Sequence, residues 1–176
     1  MEQQSRAAPD EREVLARTVA DVMRPAAVTV AGDETVLVAW ELLERSGARH
    51  LPVVRPDGRC TGLLDRADVA LACAAPAASL SGRRVDELLP RHRPALVHAG
   101  QTVRHAADVM SCADADALPV LAEDGRLAGV LTAADIVATL AGRAERGEPA
   151  GPHPPAPPTT LPGLPPRRAR RGTAIP

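Results

Sequence analysis

The feature that most constrains this chain is an internal duplication. The segment LPVVRPDGRCTGLLDRADV at 51–69 reappears at 118–136 as LPVLAEDGRLAGVLTAADI, at a constant offset of 67 residues. Leu51, Pro52, Asp57, Gly58, Gly62 and Asp68 map onto Leu118, Pro119, Asp124, Gly125, Gly129 and Asp135. A unit is commonly duplicated because one copy cannot bury its apolar face alone; the second copy supplies the missing wall, and a cleft forms along the seam. Function is therefore to be sought between the halves.

A length of 176 residues fits one domain made of two halves. The formal charge of −1 is unevenly placed. Residues 143–176 carry six Arg against Glu145 and Glu148, a net of +4, which leaves −5 on residues 1–142. Phe and Tyr are absent and Trp40 is the single aromatic residue, so the core has to be aliphatic. Cys60, Cys73 and Cys112 are odd in number and lack a Cys-x-x-Cys spacing, so they read as reduced, buried thiols without disulfide or zinc. No apolar run approaches the roughly 18 residues of a membrane span, and the opening residues have no apolar stretch of a secretion signal. A cytoplasmic protein without membrane contact is expected.

Local patterns order the elements. Asp10 to Ala20 reads as a helix capped by Asp10 that packs on the first unit. The β-branched residues after Pro25 predict a strand over Ala26 to Val30. Asp33 or Glu34 then opens a helix whose Val36, Ala39, Trp40 and Leu43 recur at three- and four-residue spacing, stopped by Gly47. Leu51–Val54 and Cys60–Leu64 form a hairpin around Pro56-Asp57-Gly58-Arg59, and Asp65 caps a helix to Cys73. The second unit repeats this order: Val85 to Leu89 matches Val19 to Met23, Ala95 to Val97 is the short strand, and Thr102 to Met110 the first helix. A second hairpin turns at Glu123-Asp124-Gly125, and Thr132 caps a helix that ends at Gly142. The divisions expected are an N-terminal segment over 1–17, unit one over 18–75, a linker over 76–82, unit two over 83–142, and a tail over 143–176. The many prolines of that tail predict disorder with polyproline character.

The order β-α-β-β-α, its tandem copy, and the closing pattern Gly-apolar-apolar-(Thr/Ser)-x-x-Asp resemble the cystathionine-β-synthase (CBS) domain in its paired form, the Bateman module. The residues that carry the resemblance are Thr18 to Pro25 with its Met-x-Pro, Arg49 to Val54, and Gly129 to Asp135. The resemblance implies an α+β fold of two units related by a pseudo-twofold axis, their three-stranded sheets facing each other. It also implies two equivalent clefts that accept adenosine-containing ligands such as AMP, ATP or S-adenosylmethionine, assembly into a homodimer, and a regulatory rather than catalytic role. A ligand that favours one arrangement shifts the population toward it, and a partner reads the change.

Physical chemistry gives the same cleft a reading of its own. Thr132 starts a helix, where free N–H groups and the helix dipole favour an anion and its hydroxyl can donate to a phosphate. Asp135, one turn on, can accept both hydroxyls of a ribose. Gly129 allows close approach of a backbone. The alternative is that Thr132 is only a cap and Asp135 only a first-turn acid. In the first copy Asp68 keeps the ribose-type position, but Asp65 stands where the hydroxyl belongs and would repel phosphate unless Arg66 compensates. A nucleoside without phosphate, or no ligand, fits that half better.

Arg49 and His50 precede the Leu-Pro-Val strand, where the resemblance places basic residues that reach phosphates across the seam; the second copy has Asp116 and Ala117 there. One competent anionic site is expected, with a surface charge and a turn residue as the alternative for Arg49 and His50. Val28, Thr29, Ala95, Leu96 and Val97 lie on the edge strands that, on the resemblance, would bracket an adenine, or else serve core packing. Asp114, Asp116, Glu123 and Asp124 lack the regular oxygen-ligand loop of a calcium site, so no metal is expected there. Neither a nucleophile elbow nor a phosphate-cradling glycine loop occurs, and no catalytic set is assigned. Four Arg in Pro165 to Arg171 make only a weak, salt-sensitive attraction without an aromatic platform, so the tail reads as solvated and not as a nucleic-acid contact. A purely structural module that dimerises or docks without nucleotide is the competing reading of the whole chain.

Overall fold

The computed structural model describes residues 10–74, 82–90 and 94–143. The expected linker and tail lie, apart from Gly82 and Arg143, outside the described residues.

Two three-stranded sheets carry the fold. The first runs β1 (Val30–Ala31), β2 (His50–Val54) and β3 (Cys60–Asp65), with β1 parallel and β3 antiparallel to β2. The second repeats it with β4 (Val97–His98), β5 (Ala117–Leu121) and β6 (Leu127–Thr132). The pairing registers correspond residue for residue, His50 opposite Asp65 and Ala117 opposite Thr132, and both hairpins slip at the same place. Both hairpin turns rest on a glycine with positive φ, Gly58 and Gly125, beside an Asp that accepts an N–H two residues on.

Each sheet is covered by two helices. In the first unit these are α2 (Val36–Ser46) and α3 (Arg66–Cys73), in the second α4 (Val103–Ala113) and α5 (Ala133–Leu140). Thr35, not Asp33 or Glu34, caps α2, and Thr102 caps α4. Helix α2 ends at Gly47 with φ 65°, whereas α4 ends at the repeat-equivalent Asp114 with φ 50°. The strand expected from Ala26 begins only at Val30, and its counterpart at Val97, because these are the first residues that meet β2 and β5.

The opening turns exchange places. Val19 and Val22, in and just after a 3₁₀ turn over Val19–Asp21, are buried in a core with Val97, Val103, Leu118 and Leu131 of the second unit. Val85, in the equivalent turn over Val85–Leu88, is buried with Val36, Leu51 and Leu64 of the first. The N–H groups of Val19 and Ala20 donate to the carbonyls of Gln101 and Ala99, and the Val85 N–H to that of Glu34. Helix α1 follows this exchange. It spans Glu11–Ala16, shorter than the pattern suggests, and packs on α4 and α5, so the expectation that it covers the first unit is corrected. Neither half has a complete core without the other's opening turn, which answers physically why the unit occurs twice. The sheets face each other through β3 and β5, and the hairpin tips join where the Leu127 N–H donates to the Gly58 carbonyl at 3.1 Å.

Candidate functional site

At the start of α5 the segment Thr132-Ala133-Ala134-Asp135 closes on itself. The Asp135 N–H donates to Thr132 Oγ1 at 3.1 Å, while Asp135 Oδ2 accepts from the Thr132 N–H at 3.0 Å and from its hydroxyl at 2.7 Å. This reciprocal cap satisfies two N–H groups at a helix start. The hydroxyl expected to face a phosphate therefore donates its hydrogen bond to Asp135.

The other carboxylate oxygen reaches across the seam. Asp135 Oδ1 lies 2.7 Å from Arg24 Nε, in the opening segment that the first unit lends to the second. The Asp135 side chain is 7% exposed and that of Arg24 76%, so a buried carboxylate is met by a cation on a solvated stem. Backbone bonds hold Arg24 in place: its N–H donates to the Val130 carbonyl and its carbonyl accepts from the Val130 N–H, both at 2.9 Å. Gly129 permits this approach, because a Cβ there would collide with the Arg24 carbonyl. The close backbone contact anticipated at Gly129 is thus made by the chain itself. Sequence reasoning missed Arg24, whose signal was its place inside the Met23-Arg24-Pro25 run.

Arg49 and His50 do reach across the seam, and they meet Asp116. His50 Nε2 lies 3.1 Å from Asp116 Oδ1 and 3.5 Å from Asp65 Oδ2, and Arg49 Nη2 lies 3.9 Å from Asp116 Oδ2. Asp116 sits beside α5, whose Ala133 N–H donates to its carbonyl at 2.8 Å. The structure thus groups Arg49 and His50 with Asp65 and Asp116, and Thr132 and Asp135 with Arg24.

In the first copy Asp65 caps α3 by accepting the Ala67 N–H, and Asp68 is exposed where its counterpart Asp135 is buried. A cleft of about 510 Å³ opens at the first hairpin, lined by Arg55, Arg59, Cys60, Thr61, Pro94 and Leu96. Its wall joins the first hairpin to the stretch before β4. Val28 is half-buried against the first core. Val97 is fully buried in the second, and Leu96, one residue earlier and itself a bracketing candidate, lines the cleft. The three cysteines are free thiols, but the expectation of burial fails for Cys112, which is exposed. Burial raises the pKa of Cys60 and Cys73 above the ordinary thiol value.

No helix among the described residues is long and apolar enough to cross a membrane. The profile of the CBS domain matches residues 19–75 and 85–142. A homoserine O-acetyltransferase of Methanosarcina acetivorans is 31% identical over 120 residues, which cover 68% of this chain but 21% of that protein. The chain thus spans about a fifth of that relative's length. Among solved structures, CBSX2 in complex with AMP is 30% identical with a TM-score of 0.56, covering 68% of this chain and 93% of that one. Hypoxic Response Protein I with two coordinated zinc ions is 26% identical with a TM-score of 0.59, covering 69% and 97%. Two matched copies, two sheets of the same strand order and register, and a shared seam have one conclusion: this chain belongs to the CBS domain family and carries the domain as a tandem pair.

Proposed function

We propose that this tandem pair is a regulatory module, not an enzyme, that binds an adenosine-containing ligand such as AMP or ATP in the cleft between its units. Asp135 carries the reading. One of its oxygens is fixed by Thr132, and the other, among the described residues, faces the exposed guanidinium of Arg24. Ribose hydroxyls can take the place of Arg24 on Oδ1, and the released guanidinium, on its solvated stem, is then close enough to turn to the phosphate. Gly129 and Thr132 set the frame of this site. Arg49 and His50 approach the same helix start from the first unit, Leu96 lines the cleft at the first hairpin, and Asp68 and Val28 are the ribose and adenine candidates of the first half. The relation to CBSX2, a protein solved with AMP, supports an adenosyl ligand.

Ligand entry would break the Arg24–Asp135 pair, which ties the exchanged opening turn to the second unit. That coupling gives binding a route to a change of shape, read by a partner protein in the cytoplasm, with the module acting as a homodimer. One observation favours the alternative of a docking module without nucleotide: the side-chain oxygens of Thr132 and Asp135 already have partners within the chain.

A thermal-shift series with AMP, ADP, ATP, S-adenosylmethionine and adenosine decides between them, using wild type and Asp135→Asn, which keeps an acceptor for the Thr132 cap. Ligand at a hundredfold its Kd stabilises by about 2.7 kcal/mol, an easily measured shift. A shift lost in Asp135→Asn supports the sensor. A folded protein that responds to none of the ligands is the docking module.

A further inference from the structure

The cluster of His50, Asp65 and Asp116 shares His50 with the proposed nucleotide site but has a different chemistry. Two carboxylates converge on one imidazole nitrogen, and one ligand atom from each residue lies within 4.8 Å of the others. The separations from His50 Nε2 are 3.1 and 3.5 Å. A tetrahedral ion with ligands at about 2.0–2.2 Å requires edges of about 3.4 Å between ligand atoms. The two measured edges already straddle that value.

The supports of these three groups are separate from the ion they would hold. His50 opens β2, and its side chain is 10% exposed, so the ring is fixed by packing. Asp65 uses Oδ1 to cap α3 through the Ala67 N–H, which leaves Oδ2 turned toward His50. Asp116 is 62% exposed, and its backbone is held by the Ala133 N–H. Outer contacts of this kind orient metal ligands. The cluster does not follow from the duplicated fold: at the equivalent positions stand Ala117, Thr132 and Arg49, one offset of 67 away in each case. The first unit supplies His50 and Asp65 and the second supplies Asp116, so an ion here would clamp the seam.

We propose that His50 Nε2, Asp65 Oδ2 and Asp116 Oδ1 form a binding site for one divalent transition-metal ion of the zinc type, with a fourth position open to water. A nitrogen with two oxygens suits zinc or cobalt; magnesium and calcium prefer all-oxygen sites. Of the four acidic residues at which the sequence led to no expectation of a metal, Asp116 takes part here, whereas Asp114, Glu123 and Asp124 do not.

The test uses the full chain, stripped with chelator and free of nucleotide, titrated with Zn²⁺ and with Co²⁺ as a spectroscopic probe. One equivalent is expected, with cobalt d–d bands and no thiolate charge-transfer band, and excess Mg²⁺ should not displace it. Asp116→Asn, at an exposed position, should weaken binding at least tenfold, as should Asp65→Asn, in which Asn retains the cap. His50→Gln should abolish it. At equal Zn²⁺ concentration the melting temperature should rise in wild type and rise less in Asp116→Asn. No uptake, equal affinity in wild type and Asp116→Asn, or a thiolate band would each overturn the proposal and leave the cluster as an ion pair of His50 with two carboxylates.

Discussion

Gly129 is shaped by Arg24. The carbonyl of Arg24 occupies the space that a side chain at 129 would need, and paired bonds between Arg24 and Val130 lock the contact. Gly129→Ala should therefore cost about 1–3 kcal/mol, the usual penalty for overpacking a backbone that cannot retreat. At the equivalent Gly62 the added methyl would meet the end of the Leu89 side chain, which can rotate, so Gly62→Ala should cost less. Gly100→Ala, with nothing within 4 Å, should be neutral or slightly stabilising. Urea denaturation of the three variants checks this order.

What was legible in the sequence was local. The hairpins announce themselves through Asp57-Gly58 and Asp124-Gly125, and α2 through apolar spacing bounded by Gly47, since each signal and its consequence lie within a few residues. The exchange of opening turns was not legible. Val19 and Val85 have the same apolar character whichever core receives them, and only the complete sheets decide. The same holds for the site: Thr132 and Asp135 stand out as a spacing, whereas Arg24 meets Asp135 only after the exchange has brought a distant segment to β6. His50, Asp65 and Asp116 likewise carry no common spacing, and folding alone assembles them.

Arg24 separates two energies that a single measurement would merge. Asp135 is buried, so Arg24→Ala leaves its Oδ1 without a cation and should lower the unfolding free energy by about 1–3 kcal/mol. On the proposed function its effect on ligands is separate and selective. Arg24→Ala should reduce AMP affinity about tenfold, in line with one lost charge-assisted bond, and leave adenosine almost unaffected. Calorimetry with both ligands provides the comparison; an equal loss for both would remove Arg24 from the phosphate.

Asp114 holds a left-handed conformation, φ 50°, where its repeat partner is Gly47. That backbone is disfavoured for a residue with a Cβ, though less so for Asp than for most. Asp114→Gly should stabilise the chain by up to about 1 kcal/mol, measured as an increase in the urea midpoint at constant slope.

The thiols predict a pH dependence. Burial raises the pKa of Cys60 and Cys73 in the folded chain, so the native state holds those protons more tightly than the unfolded one. Their contribution to stability is complete below the unfolded thiol pKa of about 8.5 and is lost as pH rises through the folded value. Cys60→Ala should flatten the alkaline decline, and at neutral pH iodoacetamide should modify exposed Cys112 before Cys60.

Asp65 offers the sharpest test of why the two clefts should differ. It and Thr132 occupy equivalent positions, each capping its helix, but Asp65 places a carboxylate where an incoming phosphate would otherwise meet a neutral hydroxyl. The same half has a cleft with Arg55 and Arg59 on its wall, so cationic groups are not what it lacks. On the proposed function wild type binds one AMP per chain. Asp65→Thr preserves a cap at α3 and removes the negative charge, so the stoichiometry measured by calorimetry should rise toward two. The same substitution should abolish Zn²⁺ uptake at His50 and Asp116, because it deletes one of three ligands. If zinc is lost while AMP remains at one per chain, Asp65 is a metal ligand and the first cleft is closed to phosphate for another reason. If AMP doubles while zinc uptake is unchanged, the carboxylate excludes phosphate and the metal proposal fails.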